Sequence, residues 1–218
     1  MMKKRKLTNY FCLSGVIGLV FYLLHDVVGA MHYPDYDWMS QAVSDLTATD
    51  APSFVVASGL SSIYGIFSCL CCAMVCVVVQ GKGGRILRLG VYLFTAMNFI
   101  SAIGYALFPL SESGYAGSFR DIMHLYVVTA LVVILSIASL VLIAIGGFKS
   151  KVYKPLAVIS LIAVGFMFLG VIGVGIVPAD YFGIPERFSV YSAVVFTAVL
   201  GVWGLFRLEE EVLQCLRK

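Results

Sequence analysis

The positions of lysine and arginine constrain this chain more than any motif in it. Of the 15, all but two stand in short clusters between long apolar runs. Lys3, Lys4, Arg5 and Lys6 precede the first run, and Lys82, Arg85 and Arg88 follow the second. Lys149, Lys151 and Lys154 follow the fourth, and Arg207, Arg217 and Lys218 follow the last. Only Arg120 and Arg187 fall in the alternate loops. Loops rich in Lys and Arg stay on the cytoplasmic side of a membrane, so this alternation reads as a topology with both termini cytoplasmic.

Composition points the same way. Of 218 residues, 61% are hydrophobic and 12% charged, where a soluble domain carries about 25% charged residues. Crossing roughly 30 Å of hydrocarbon takes about 20 apolar residues in a helix. Six runs qualify, at about 7–30, 53–79, 86–108, 120–146, 155–177 and 188–206. The expectation is an all-α polytopic membrane protein of the plasma membrane. Its single domain spans 1–218, with six transmembrane helices as three hairpins. The first run starts like a signal peptide, and Val28-Gly29-Ala30 loosely resembles a cleavage site. The later charge alternation nevertheless requires that run as a span. The net charge of +3 then reports topology and gives no reason to expect nucleic acid. Membrane lipids are the expected partners, and no protein partner is readable.

Cysteines carry little chemistry. Cys12, Cys69, Cys71, Cys72 and Cys76 fall inside spans and Cys215 in the last cytoplasmic stretch, so none stands where an oxidising compartment would favour a disulfide. They read as small apolar side chains at helix contacts. The four-residue spacing of Ser61, Gly65 and Cys69, and of Ala193, Thr197 and Gly201, marks faces on which backbones approach closely.

Chemistry collects on the external side. Every acid except Glu209, Glu210 and Glu211 is expected there, as are all 3 histidines. His25 and Asp26 come at the outer boundary of the first span, and His124 falls about 6 Å inside the start of the fourth. Ionisable groups at that depth mark functional sites facing the bundle interior. His124 is the candidate general base, with His25, Asp26, Asp45 and Asp121 as acids or ligands. Ser44, Trp38, Arg120 and Arg187 are candidate substrate contacts.

Structural roles compete for several of these residues. Ser118-Phe119-Arg120-Asp121 fits a capping box, which makes Asp121 a helix-start residue. Asp26 lies near a helix C-terminus, where the macrodipole disfavours an anion, so Arg120 or Arg187 is expected to pair with it. His124 has the alternative of bonding Asp121 or a backbone carbonyl. Trp38, Met39, Ala42, Val43 and Leu46 recur at helical spacing and predict a short interfacial amphipathic helix in the first external loop. A faint repeat links Phe108-Pro109, Glu112, Gly114 and Arg120 with Val177-Pro178, Asp180, Gly183 and Arg187. No His-Glu-x-x-His, Gly-x-Ser-x-Gly or Cys/His cluster is present, so the sequence assigns no metal and leaves any cofactor unknown.

His25-Asp26, Tyr33-Pro34-x-Tyr36, Ser44-Asp45-Leu46, Phe108-Pro109, a histidine early in the fourth span and Gly183-x-Pro185-Glu186-Arg187 occur together. In these the chain resembles the six-span prokaryotic family catalogued as domain of unknown function 998. The resemblance implies a six-helix membrane protein without established activity and draws attention to Ser44, Asp45, His124 and Arg187. Three functions fit: hydrolase- or transferase-type chemistry on a lipid or amphiphile, transport or lipid binding, and a non-catalytic accessory role. A transport site belongs near midplane, where only Asn98, Ser101, Thr129 and Ser136 are polar, so the clustering at one surface favours the first.

Overall fold

The computed structural model describes residues 6–206. Lys3, Lys4, Arg5, Arg207, Glu209, Glu210, Glu211, Cys215, Arg217 and Lys218 lie outside the described residues. Six helices are long and apolar enough to cross a membrane. They are α1 (Leu7–Met31), α2 (Phe54–Val79), α3 (Arg85–Leu107), α4 (Phe119–Phe148) and α5 (Lys154–Gly173), followed by α6 (Gly183–Phe206). The protein is a six-span, all-helical membrane protein. Two bounds depart from hydropathy. α5 stops at Gly173, and α6 starts at Gly183. Pro185 fits the first turn of α6, where an N–H has no intrahelical partner in any case.

α3 packs most extensively on α4, α1 on α2 and α5 on α6; contacts of α4 with α5, α2 with α3 and α1 with α6 close the ring. Backbones meet through glycine. A Cβ on Gly90 of α3 would lie 2.8 Å from the Ile143 nitrogen and 2.9 Å from the Ser139 carbonyl oxygen of α4. One on Gly146 would lie 2.6 Å from the Leu87 Cα, and one on Gly170 would lie 2.6 Å from the Pro185 carbonyl oxygen. In lipid, helices gain little from hiding apolar surface from one another, so close backbone contact supplies the attraction. The small-residue faces are contacts of this kind: Gly65 faces Ala102, and Gly201 faces Cys12 and Cys71. Cys12, Cys71 and Cys72 are fully buried in the main apolar cluster with Leu87, Phe94, Ile143, Phe196 and Leu200.

Polarity is lopsided. The bundle end bearing loops 32–53, 108–118 and 174–182 holds His25, Asp26, Asp45, Asp121, His124 and Arg187, all buried. We call this the acidic end. Halfway along the helices the buried polar groups are neutral: Ser68, Asn98, Ser136, Ser139, Ser160 and Thr197.

The expected amphipathic helix across Trp38 to Leu46 is replaced by turns at 38–40 and a 3₁₀ helix, Val43–Thr47. Tertiary bonds take the carbonyls such a helix needs: Arg187 binds those of Trp38 and Gln41, and the Gly183 N–H donates to that of Met39. Asp37 competes as well, accepting from the Met39 N–H and the Ser40 hydroxyl. Val43 and Leu46 still turn inward, whereas Trp38 is 53% exposed.

Candidate functional site

Arg187, in the first turns of α6, is the hub of the acidic end. Its Nε donates to Asp26 Oδ2 at 3.1 Å and its Nη2 to Asp26 Oδ1 at 2.9 Å, a bidentate pair that joins α6 to α1. Nη2 also reaches the Tyr36 hydroxyl at 2.9 Å. Nη1 donates to the carbonyls of Trp38 (2.7 Å), Gln41 (3.0 Å) and Gly183 (3.2 Å). Every guanidinium donor is thereby engaged. The Trp38 ring lies 6.0 Å from the guanidinium carbon, and the Tyr191 hydroxyl gives Asp26 a further donor at 2.7 Å. Arg187 is thus the partner that Asp26 requires, whereas Arg120 is exposed. Burial pushes the Tyr36 hydroxyl above the usual tyrosine range, and the neighbouring Arg187 partly offsets this.

A second network surrounds Asp121 and His124 at the start of α4. Asp121 completes a capping box with Ser118: the Ser118 N–H donates to Asp121 Oδ2 at 2.9 Å, and the Asp121 N–H to Ser118 Oγ at 3.3 Å. Ser111 adds its N–H to Oδ1 at 2.7 Å and its hydroxyl to Oδ2 at 2.7 Å. Asp121 is therefore fully buried and saturated by protein donors, holding loop 108–118 on α4. His124 lies in a π-helical turn, Met123–Thr129. Its Nδ1 is 2.7 Å from the Phe108 carbonyl oxygen. Its ring packs on Tyr105 with centroids 4.6 Å apart, and Thr129 Oγ1 bonds the His124 carbonyl at 2.8 Å.

Asp45 ties the first loop to the second. Its Oδ2 accepts from Ala42 N–H at 3.0 Å and its Oδ1 from Gly114 N–H at 3.1 Å. Burial raises its carboxyl above the ordinary 3.8, and these two bonds oppose the rise. Thr49 adds bonds to the carbonyls of Leu110 and Ser111, both at 2.8 Å. Ser44 is half-buried, and its carbonyl accepts from the Thr47 hydroxyl.

Two further groups are less satisfied. His25 is 3% exposed, yet neither ring nitrogen has a partner among the described residues; its ring meets Tyr22 edge-on at 5.3 Å. Glu186, absent from the sequence-derived candidates, accepts among the described residues from Val43 N–H alone, at 3.4 Å. Its position beside Arg187 in Gly183-x-Pro185-Glu186-Arg187 was the available signal. Among the described residues no three His, Cys, Asp or Glu side chains are placed to hold a metal ion. An apolar groove of about 310 Å³ lies elsewhere, along α5 at Gly165, Leu169 and Ile172. Near midplane, Asn98 bonds the Phe94 carbonyl at 3.0 Å.

The family model described as protein of unknown function (DUF998) matches residues 16–203. That is most of the chain, and the protein belongs to this family. No curated protein and no solved structure matches it.

Proposed function

We propose, starting from membership of a family without an assigned activity, that this is a plasma-membrane enzyme acting on a lipid or other amphiphile. The termini are cytoplasmic and the acidic end faces outward, as the cation clusters favour. Its chemistry is hydrolase- or transferase-type, with His124 as general base. One observation carries this reading. The Phe108 carbonyl can only accept, so neutral His124 holds its hydrogen on Nδ1 and keeps the lone pair on Nε2. An imidazole fixed in that tautomer is oriented to take a proton. The π-helical turn that presents it is a feature often found at functional sites. Asp26, Asp121 and Arg187, their bonding capacity occupied, act as positioning residues that hold the surrounding loops.

The test uses purified full-length protein in nanodiscs made from a whole-membrane lipid extract, with products followed by mass spectrometry. A wild-type-dependent lipid product should form and should fall at least about a hundredfold in His124→Ala, the usual weight of a general base. The variant's melting temperature reports its folding. If wild type produces no change in the lipids, the catalytic reading fails. The saturated bonding of Arg187 and Asp121 then favours the non-catalytic accessory role.

A further inference from the structure

The turn that carries His124 is tied to the end of α3. A Cβ on Gly104 would lie 2.8 Å from Val128 Cγ1, so the two helices touch there with no side chain on the α3 side. Tyr105 lays its ring on the His124 imidazole with centroids 4.6 Å apart, and its hydroxyl oxygen lies 3.1 Å from Thr129 Oγ1. Phe108, just past the end of α3, offers its carbonyl to His124 Nδ1 at 2.7 Å. The turn held in this way, Met123–Thr129, is π-helical.

Counting hydrogens fixes the direction of the hydroxyl bonds. The His124 carbonyl can only accept, so the single hydroxyl hydrogen of Thr129 goes to it, at 2.8 Å. The Tyr105 hydroxyl must then donate to Thr129 Oγ1. Tyr105 on α3 thereby reaches the backbone of His124 on α4 through one intervening oxygen. Ser62, Thr95 and Thr197 show the ordinary helical pattern, each bonding the carbonyl four residues back. Thr129 bonds the carbonyl five residues back, which is the π-helical register. Relaxation to an α-helix would take one residue out of the turn and swing His124 about the helix axis by up to about 100°. Its ring would leave the Phe108 carbonyl.

We propose that Tyr105 and Thr129 are positioning residues for His124, a role that rests on His124 being the general base. Their hydroxyl relay holds the π-helical turn, and the turn keeps the ring hydrogen on the Phe108 carbonyl with the Nε2 lone pair open. Both act through His124 and not on the substrate. The relay also explains why two hydroxyls stand at this depth: each is bonded, and the bond runs between helices instead of back along one.

The test reads the imidazole itself. Full-length protein in nanodiscs, isotopically labelled at the histidine nitrogens, is followed by nuclear magnetic resonance, with the His124 signals assigned by their loss in His124→Ala. Wild type should show one tautomer, with its hydrogen on Nδ1. Thr129→Val keeps the shape and removes the hydroxyl, and Tyr105→Phe keeps the ring. Each should lose the single-tautomer pattern, the hydrogen spreading over both nitrogens, and Thr129→Ser should restore it. In the lipid-extract assay both variants should form product about tenfold more slowly or worse, because a small misplacement of a catalytic group suffices. Thr95→Val removes a comparable hydroxyl bond earlier on α3 and should change neither readout, which separates positioning from general loosening. Melting temperatures report folding, and if Thr129→Val does not fold, Tyr105→Phe decides. A folded Thr129→Val or Tyr105→Phe that keeps the single tautomer overturns the proposal, as does a wild type with its hydrogen on Nε2. Lipid turnover in wild type with the tautomer unmoved in the variants would remove this inference and keep the enzyme. A tautomer lost in the variants of a protein that turns over no lipid would do the reverse.

Discussion

At the acidic end, Arg187 of α6 reaches Asp26 on α1 and the carbonyls of Trp38 and Gln41 in the first loop. Toward the opposite end, α3 and α4 meet where Gly90 and Gly146 leave no side chain between backbones. The loops expose backbone groups that must be bonded once buried, and charged brackets do this while fixing direction. Inside lipid each helix bonds its own backbone, so neighbours need only shape. The two regions should therefore fail differently. Removing a bond is the damaging change at the acidic end, and adding an atom is the damaging change at the glycine contacts between helices.

The largest effect should come from Arg187→Ala. It leaves Asp26 buried with only Tyr191 as donor and frees two loop carbonyls, at a cost of about 3 to 5 kcal/mol. Thermal unfolding in detergent measures it, and adding Asp26→Asn should recover part of the loss. Strictly additive losses would show that the pair does not act as one unit. Gly146→Ala comes next, at about 1 to 3 kcal/mol, because the new methyl meets the Leu87 backbone. Gly165→Ala, with nothing within 4 Å of the added atom, should be neutral or stabilising by up to about 1 kcal/mol. Equal behaviour of the two alanines would break the comparison.

Ser111→Ala removes only the hydroxyl from Asp121 and keeps both backbone donors, so about 1 kcal/mol is expected. Limited proteolysis of loop 108–118 would sharpen the test, since loosening should be confined there. The smallest effect concerns pH. Burial raises Asp45 above 3.8, so the folded state holds its proton to higher pH than the unfolded chain does. The contribution of Asp45 to stability should fall as pH rises from 3.8 to its folded value and stay level above that. Asp45→Asn should remove this slope from the pH profile of the melting temperature. An unchanged profile would mean that the Ala42 and Gly114 bonds cancel the effect of burial.

Several pieces of the acidic end were legible in the sequence. The Ser118–Asp121 capping box is a local pattern and folds as one. The need of Asp26 for an arginine followed from its place near a helix C-terminus, but the choice of Arg187 depends on α6 lying beside α1. A backbone carbonyl was one foreseeable partner for His124, though nothing local named Phe108. Glu186 was passed over because hydropathy starts the last span at 188; the helix begins at Gly183, which carries Glu186 into the bundle.

Apolar runs and cation clusters by themselves determined six membrane-crossing helices, since crossing hydrocarbon demands about 20 apolar residues and internally bonded backbone irrespective of neighbours. The tertiary structure alone decided the bonding of loop 32–53, the partner of Asp26 and the company of Glu186. Those outcomes depend on contacts between residues as distant in sequence as Asp26 and Arg187. The first loop shows the reason most directly. Its apolar spacing favours a helix, but Arg187 and Gly183 reach its carbonyls first, and a bond supplied by α6 replaces one the local sequence would have made for itself.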